Sequence, residues 1–249
     1  MKKTVLFLAI VSFSAMAGIT ENTIKPIALI ELKKDSGQYV SICKAIESEC
    51  KVGTTIWKEK KSNDDFYLMP SKLNFVKVKK NGDRYSKVIM WDFSKDNNDV
   101  GTVDDELTKD DVYIYPALYP LNKTKLAIAL VSKWSTSYSG GGREEEYANF
   151  MMINDDGSYR LAFKSVPFSS KEIIRACFTE DDYAKKSHCH DENWSILNLK
   201  ITDEKKEFYS WKFIIKSYSW AAFKDKASAQ VKTSEIVAYP FQSQRQSNK

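Results

Sequence analysis

The Asn81-Gly82 dipeptide, set between two segments of β character, constrains this chain more than any other feature. Asn-Gly accepts the positive φ that a two-residue hairpin turn demands, so its flanks are driven into antiparallel pairing. Leu73 to Lys79 alternates imperfectly, with Leu73, Phe75 and Lys77 against Asn74, Val76 and Val78. Arg84 to Phe93 returns as its partner. The same grammar recurs downstream. Leu126 to Trp134 (LAIALVSKW) is an almost unbroken apolar run, which predicts a central strand buried on both faces. Glu145 to Ile153 pairs with it across Tyr138-Ser139-Gly140-Gly141-Gly142, and Asp156-Gly157 turns the chain into a third strand, Ser158 to Lys164.

Val112 to Tyr115 is a further strand, with Pro116 and Pro120 bounding the loop after it. Trp194 to Ile201, Phe208 to Tyr218 and Ala229 to Tyr239 complete the set, the first two joined by the polar turn Asp203 to Lys206. Helix signals are few: Ser41 to Glu47, and Ser170 to Cys177 with Ser170 as N-cap. The expectation is a mostly β chain, an antiparallel β-sandwich or open barrel built from hairpins and meanders. It carries one or two short helices and two small disulfide-closed loops.

Met1 to Ala17 (MKKTVLFLAIVSFSAMA) places a basic start, a nine-residue apolar run and the small-x-small pattern Ala15-Met16-Ala17 in the order of a signal peptide. The run is too short to span a bilayer, which takes about 20 residues. The sequence therefore divides into 1–17 as signal peptide, 18–241 as a single exported β-rich domain and 242–249 as a polar tail. Asp92 to Lys109 is the most loop-like internal stretch, giving a candidate sub-boundary near 94–110. The expected location is the periplasm, with secretion as the alternative.

Cysteine usage agrees with export. Cys43, Cys50, Cys177 and Cys189 allow three pairings. The closeness of each pair in sequence selects Cys43–Cys50 and Cys177–Cys189. Neither spacing is Cys-x-x-Cys, so both read as structural staples rather than redox sites.

The formal charge of +5 falls to +3 without Lys2 and Lys3, a mixed surface rather than a nucleic-acid footprint. The local cations Lys77, Lys79, Lys80 and Arg84 read as guards of an edge strand. Catalytic patterns are scarce. The two histidines, His188 and His190, flank Cys189, and no nucleophile elbow or zinc-protease motif occurs. In an extended segment His188 and His190 point the same way, which makes them weak metal candidates needing a further carboxylate. Asp92-x-Ser94-x-Asp96-x-Asn98 resembles half a calcium loop, but Asn97 and Val103 replace its essential Gly and Glu.

The glycine-rich Ser139 to Arg143 turn lacks a phosphate-loop lysine. Its surroundings are richer: Trp134, Tyr138, Arg143, Glu144 and Glu145 gather aromatic and charged groups at one loop tip, the chemistry of an interface core. The functional expectation is a non-enzymatic protein-binding protein, with no cofactor, no nucleic acid and no membrane span. Its most specific form is an inhibitor or immunity protein acting on a periplasmic toxin or hydrolase. The alternatives are an envelope hydrolase using carboxylates or a metal at His188 and His190, and a carbohydrate-binding or surface-assembly module.

Overall fold

The computed structural model describes residues 23–96, 106–185 and 188–242. The proposed signal peptide, the distal half of the calcium-like loop and the tail beyond Gln242 lie outside these residues. Their chain order is β1 (Thr23–Ile24), β2 (Ile27–Glu31), α1 (Gly37–Ala45), β3 (Thr55–Glu59), β4 (Asp65–Ser71), β5 (Asn74–Asn81) and β6 (Arg84–Asp92). Then come β7 (Thr108–Pro120), β8 (Leu126–Tyr138), β9 (Gly141–Ile153), β10 (Tyr159–Arg175), α2 (Glu180–Lys185), β11 (His190–Thr202), β12 (Ser210–Trp220) and β13 (Gln230–Ala238). The architecture is mostly antiparallel β, with two short helices and two disulfides. The strands form one open sheet in the order β13-β12-β11-β10-β9-β8-β7-β2-β3-β4-β5-β6, with β1 paired to β11 off this path.

The Leu126 to Trp134 run is buried on both faces, as its composition requires. Alternation in β8 sends Ala127, Ala129 and Val131 into one core, with Phe150, Phe163, Trp211 and Phe213. Ile128 and Leu130 enter a second core, with Phe75, Trp91, Leu118 and Met151. Strands β5 and β6 are far from β8 in sheet order, so the sheet must curl back over its own centre to make this core. Trp91 Nε1 donates to the Asn154 carbonyl at 2.8 Å across that fold. A third core sets Ile42 of α1 and Ile46 against Ile56, Phe66, Leu68, Val76 and Val78. Burying two β8 faces and one α1 face concentrates the apolar residues, each fully buried side chain contributing about 1.5–3 kcal/mol.

The Asn81-Gly82 hairpin forms as expected, with Asn81 opposite Arg84 and Gly82 at φ +59°. The helix expected over Ser41 to Glu47 lies slightly earlier, because the Ser36 hydroxyl caps it by accepting from Tyr39 N at 3.2 Å. The helix expected over Ser170 to Cys177 is absent. Ser170 to Arg175 continue β10 and pair with β9 and β11. Pro116 and Pro120 do not bound a loop. They lie in β7, where a register shift between Tyr115 and Tyr119 spans Pro116, which cannot donate to a ladder, and Pro120 ends the strand opposite Leu126. Four short strands, β1 to β4, were not apparent from alternation alone. The lysines read as edge guards fall on β5, which is internal; the edge is β6.

At its N-terminal side the described chain bridges two distant parts of the sheet. Thr23 and Ile24 pair with Thr202 and Ile201 of β11. Three residues later Ile27 and Ala28 pair with Leu118 and Ala117 of β7. Both disulfides adopt the expected pairing, Cys43–Cys50 and Cys177–Cys189, with Cα separations of 5.3 and 5.1 Å.

Candidate functional site

The five tip residues lie on the β8–β9 hairpin, and strand alternation divides them. Trp134 stands opposite Glu145, while Tyr138 stands opposite Gly141 at the turn. Glu145 is buried at 9% exposure. A buried carboxylate is tolerated only when its oxygens are satisfied. Arg143 Nε donates to it at 2.7 Å, a second guanidinium nitrogen also bonds it, and the Tyr147 hydroxyl donates to its other oxygen. Glu144 forms an ion pair with Lys133 at 3.0 Å. Glu146 accepts from Tyr113 and Ser169 at 3.0 and 2.7 Å. Burial first, and then the Glu146 charge, hold the Tyr113 hydroxyl well above its usual pKa. Trp134 is half-buried and donates to Ser132 Oγ at 3.1 Å. The acidic run is therefore a set of internal ties, and Tyr138 is the exposed aromatic of the tip at 42%.

The turn itself is tight. Gly140 has φ +98°, and a Cβ on Gly141 would lie 2.0 Å from the Ile173 carbonyl oxygen. The hairpin tip is thus seated directly against the end of β10, and Arg175 N donates to the Gly140 carbonyl at 2.7 Å. Arg175 also anchors the stapled loop that follows it. Its Nε donates to the Cys177 carbonyl at 2.6 Å, and its guanidinium lies 5.4 Å from the Phe178 ring centroid. Thr179 and Asp182 cap α2 reciprocally: Thr179 N donates to the Asp182 carboxylate at 3.1 Å, and Asp182 N donates to the Thr179 hydroxyl at 3.3 Å.

This places the hairpin tip and the Cys177–Cys189 loop side by side as one loop end. Phe178 is 71% exposed and Tyr183 53% exposed on it, with Ile174 beside them. Neither aromatic stood out in the sequence. The sequence does carry their signal, two aromatics inside an otherwise polar disulfide loop.

The two histidines have different surroundings. His188 stacks on Trp220 with centroids 3.4 Å apart and planes 5° from parallel. Its Nδ1 lies 3.9 Å from Glu192 Oε1, and its Nε2 is buried with no hydrogen-bond partner among the described residues. His190 opens β11 opposite Arg175. Among the described residues no group of three or more His, Cys, Asp or Glu side chains is arranged to hold a metal ion. Asp92, the first residue of the calcium-like stretch, accepts from Ser94 N at 3.0 Å, and this bond holds its carboxyl below the usual range.

Two surface hollows lie elsewhere. One, of about 300 Å³, is lined by Val52, Met69, Pro70, Lys72 and Tyr113; the other, of about 410 Å³, by Lys123, Asp203, Lys206 and Glu207 among others. No helix among the described residues is long and apolar enough to cross a membrane. Comparison with protein-family models, with curated proteins and with solved structures finds no match to this chain.

Proposed function

We propose that this is an exported, non-enzymatic protein-binding protein whose partner docks on the loop end formed by the β8–β9 tip and the Cys177–Cys189 loop. The observation that carries the reading is the Arg175 N to Gly140 O bond, which joins two separately constrained loops into one platform. Exposed Tyr138, Phe178 and Tyr183 then sit on a preorganised support, which lowers the ordering cost of association. Buried aromatic anchors dominate the truncation energetics of interfaces. The two disulfides and the signal-peptide pattern of Met1 to Ala17 support export, with the periplasm as the compartment. In its most specific form the protein is an inhibitor or immunity protein that neutralises a toxin or hydrolase acting in the periplasm.

The test is growth of a deletion strain beside toxin-producing siblings, followed by complementation with variants. Loss of protection on deletion, restored by the wild type but not by Phe178→Ala with Tyr138→Ala, is the expected result. If His188→Ala with His190→Ala abolishes protection while the folded aromatic variant behaves as wild type, the loop-end reading is wrong. The histidine pair then becomes the working site.

A further inference from the structure

We propose that the β3–β4 and β5–β6 turns form a basic pole that binds the phosphate-bearing headgroups of an anionic lipid surface. The proposal is independent of the loop-end reading. Charge is spread unevenly over this chain. Residues 23–96 carry 15 Lys and Arg against 10 Asp and Glu, whereas residues 106–242 carry 19 against 19. The excess therefore lies in the β2–β6 part of the sheet. Lys77, Lys79 and Lys80 have no edge to guard there, because β5 is internal.

The fold gathers a second basic segment beside the first. Lys60 and Lys61 follow β3, and Lys80 N donates to the Asp64 carbonyl at 2.8 Å, which sets the β3–β4 turn against the end of β5. Arg84 opens β6 opposite Asn81. Lys60, Lys61, Lys79 and Arg84 are exposed, and no carboxylate pairs with them among the described residues. Lys58 donates to the neutral Asn63 side chain at 2.9 Å, and Lys80 lies over the Tyr85 ring at 6.0 Å. Neither contact cancels a charge. Two exposed carboxylates, Asp64 and Asp83, stand among these six cations, so the pole remains positive.

Charge complementarity selects an anionic lipid surface as the occupant. Ammonium groups on flexible stems are point charges without fixed geometry, which suits phosphates that are free to move within a leaflet. The central aromatic anchors of a protein interface are missing: Tyr85 is half-buried, edge-on to Phe66. These residues line neither hollow, so the pole offers no enclosure for a single anion. Its position also fits. Lys60 N donates to the Ala28 carbonyl, and Ala28 pairs with Ala117 near one end of β7. Thr108, at the other end of β7, pairs with Ser135 of the tip hairpin. A pole seated on lipid leaves the loop end at the far end of that strand.

Co-sedimentation of the exported chain with vesicles tests the idea. One set contains equal parts phosphatidylglycerol and phosphatidylcholine, the other phosphatidylcholine alone. Binding is expected to the anionic set at low ionic strength, to be lost as salt screens it, and to be absent from the neutral set. Lys60→Gln, Lys61→Gln, Lys79→Gln and Arg84→Gln together should lower partitioning about a thousandfold, at about 1 kcal/mol for each cation removed. All four positions are exposed, so circular dichroism and melting temperature should not change. Lys123→Gln, Lys216→Gln, Lys224→Gln and Lys232→Gln remove the same charge from exposed sites outside the pole and should bind like the wild type. Equal losses in the two variants would assign binding to net charge and overturn the pole. A wild type that ignores anionic vesicles at low salt overturns it too. Binding to immobilised polyglutamate but not to the vesicles would make the partner an acidic protein segment and overturn the lipid assignment.

Discussion

The two edges of the sheet are made from similar residues but are treated in opposite ways. β6 is covered. Its register slips by one residue between Lys77 and Val78 of β5, a bulge that bends it. Trp91 is tied to the Asn154 carbonyl, the Gly157 turn sits against Met90, and Lys87 is ion-paired with Glu49 in the Cys43–Cys50 loop. β13 has no such cover among the described residues, and its outward positions are exposed. The difference teaches that edge protection here comes from tertiary contacts rather than from the lysines on the neighbouring strand. Lys77, for example, is used internally, pairing with Asp65 at 3.3 Å.

The strongest way to break the comparison is to uncover β6. Trp91→Ala removes a buried indole and leaves a carbonyl unpaired, so it should cost about 3–5 kcal/mol in urea unfolding. A loss under about 1 kcal/mol would mean that the curled sheet does not depend on this lock. Next comes the staple behind the same edge. Replacing Cys43 and Cys50 together by Ser should cost about 2.5 kcal/mol on the chain-entropy model. It should also speed hydrogen exchange in β6 more than in β13. Equal acceleration of both edges would argue against the Glu49 tether. Third, Val231→Lys with Val237→Lys should change stability by less than about 0.5 kcal/mol, as for exposed positions generally. A larger loss would show that β13 is covered after all.

The smallest effect concerns the far end of β13. Tyr239 follows that strand, and its hydroxyl donates to Glu204 at 2.7 Å while Lys206 donates to the same carboxylate at 2.8 Å. Lys206 chiefly, then Ser210 and Tyr239, hold the Glu204 carboxyl down to about 2. A lowered folded pKa means the stabilisation is complete above the ordinary value of 4.5 and disappears as pH falls toward 2. Both charged groups are partly exposed, so solvent screening keeps the effect small. Thermal melts from pH 6 downward should show a shallower decline for Glu204→Gln. An identical pH slope in wild type and variant would remove this anchor from the account.

Legibility followed locality. The β5–β6 hairpin was readable because a single dipeptide fixes it, and β8 because burial on both faces leaves an unbroken apolar run. The disulfides were readable because each links neighbours in sequence. Ser170 to Arg175 misled because Ser170 resembles an N-cap, whereas the deciding forces are pairing to Glu144 through Lys171 and to Asn193 through Glu172. Strands β2 to β4 are held by cores assembled from distant segments, so their own alternation carries little signal. At the candidate site, Arg143 and Glu145 were visible as residue types. Their mutual pairing follows from the alternation of β9, and the exposure of Phe178 from the Arg175 contact with the hairpin, which no linear spacing encodes.

The bridge formed by Thr23 to Ala28 sets a timetable. Translation delivers about 5–20 residues each second. β2 meets its β7 partners Leu118 and Ala117 only after roughly 90 further residues, and β1 waits about 180 residues for Ile201 and Thr202. At those rates the first described strand has no partner for about 9–36 s after it is made. The first described strand is thus placed only after β11 has been made. A nascent product stopped before Thr202 has its hairpins β5–β6 and β8–β9 available but leaves Ile24 without a seat on the C-terminal core.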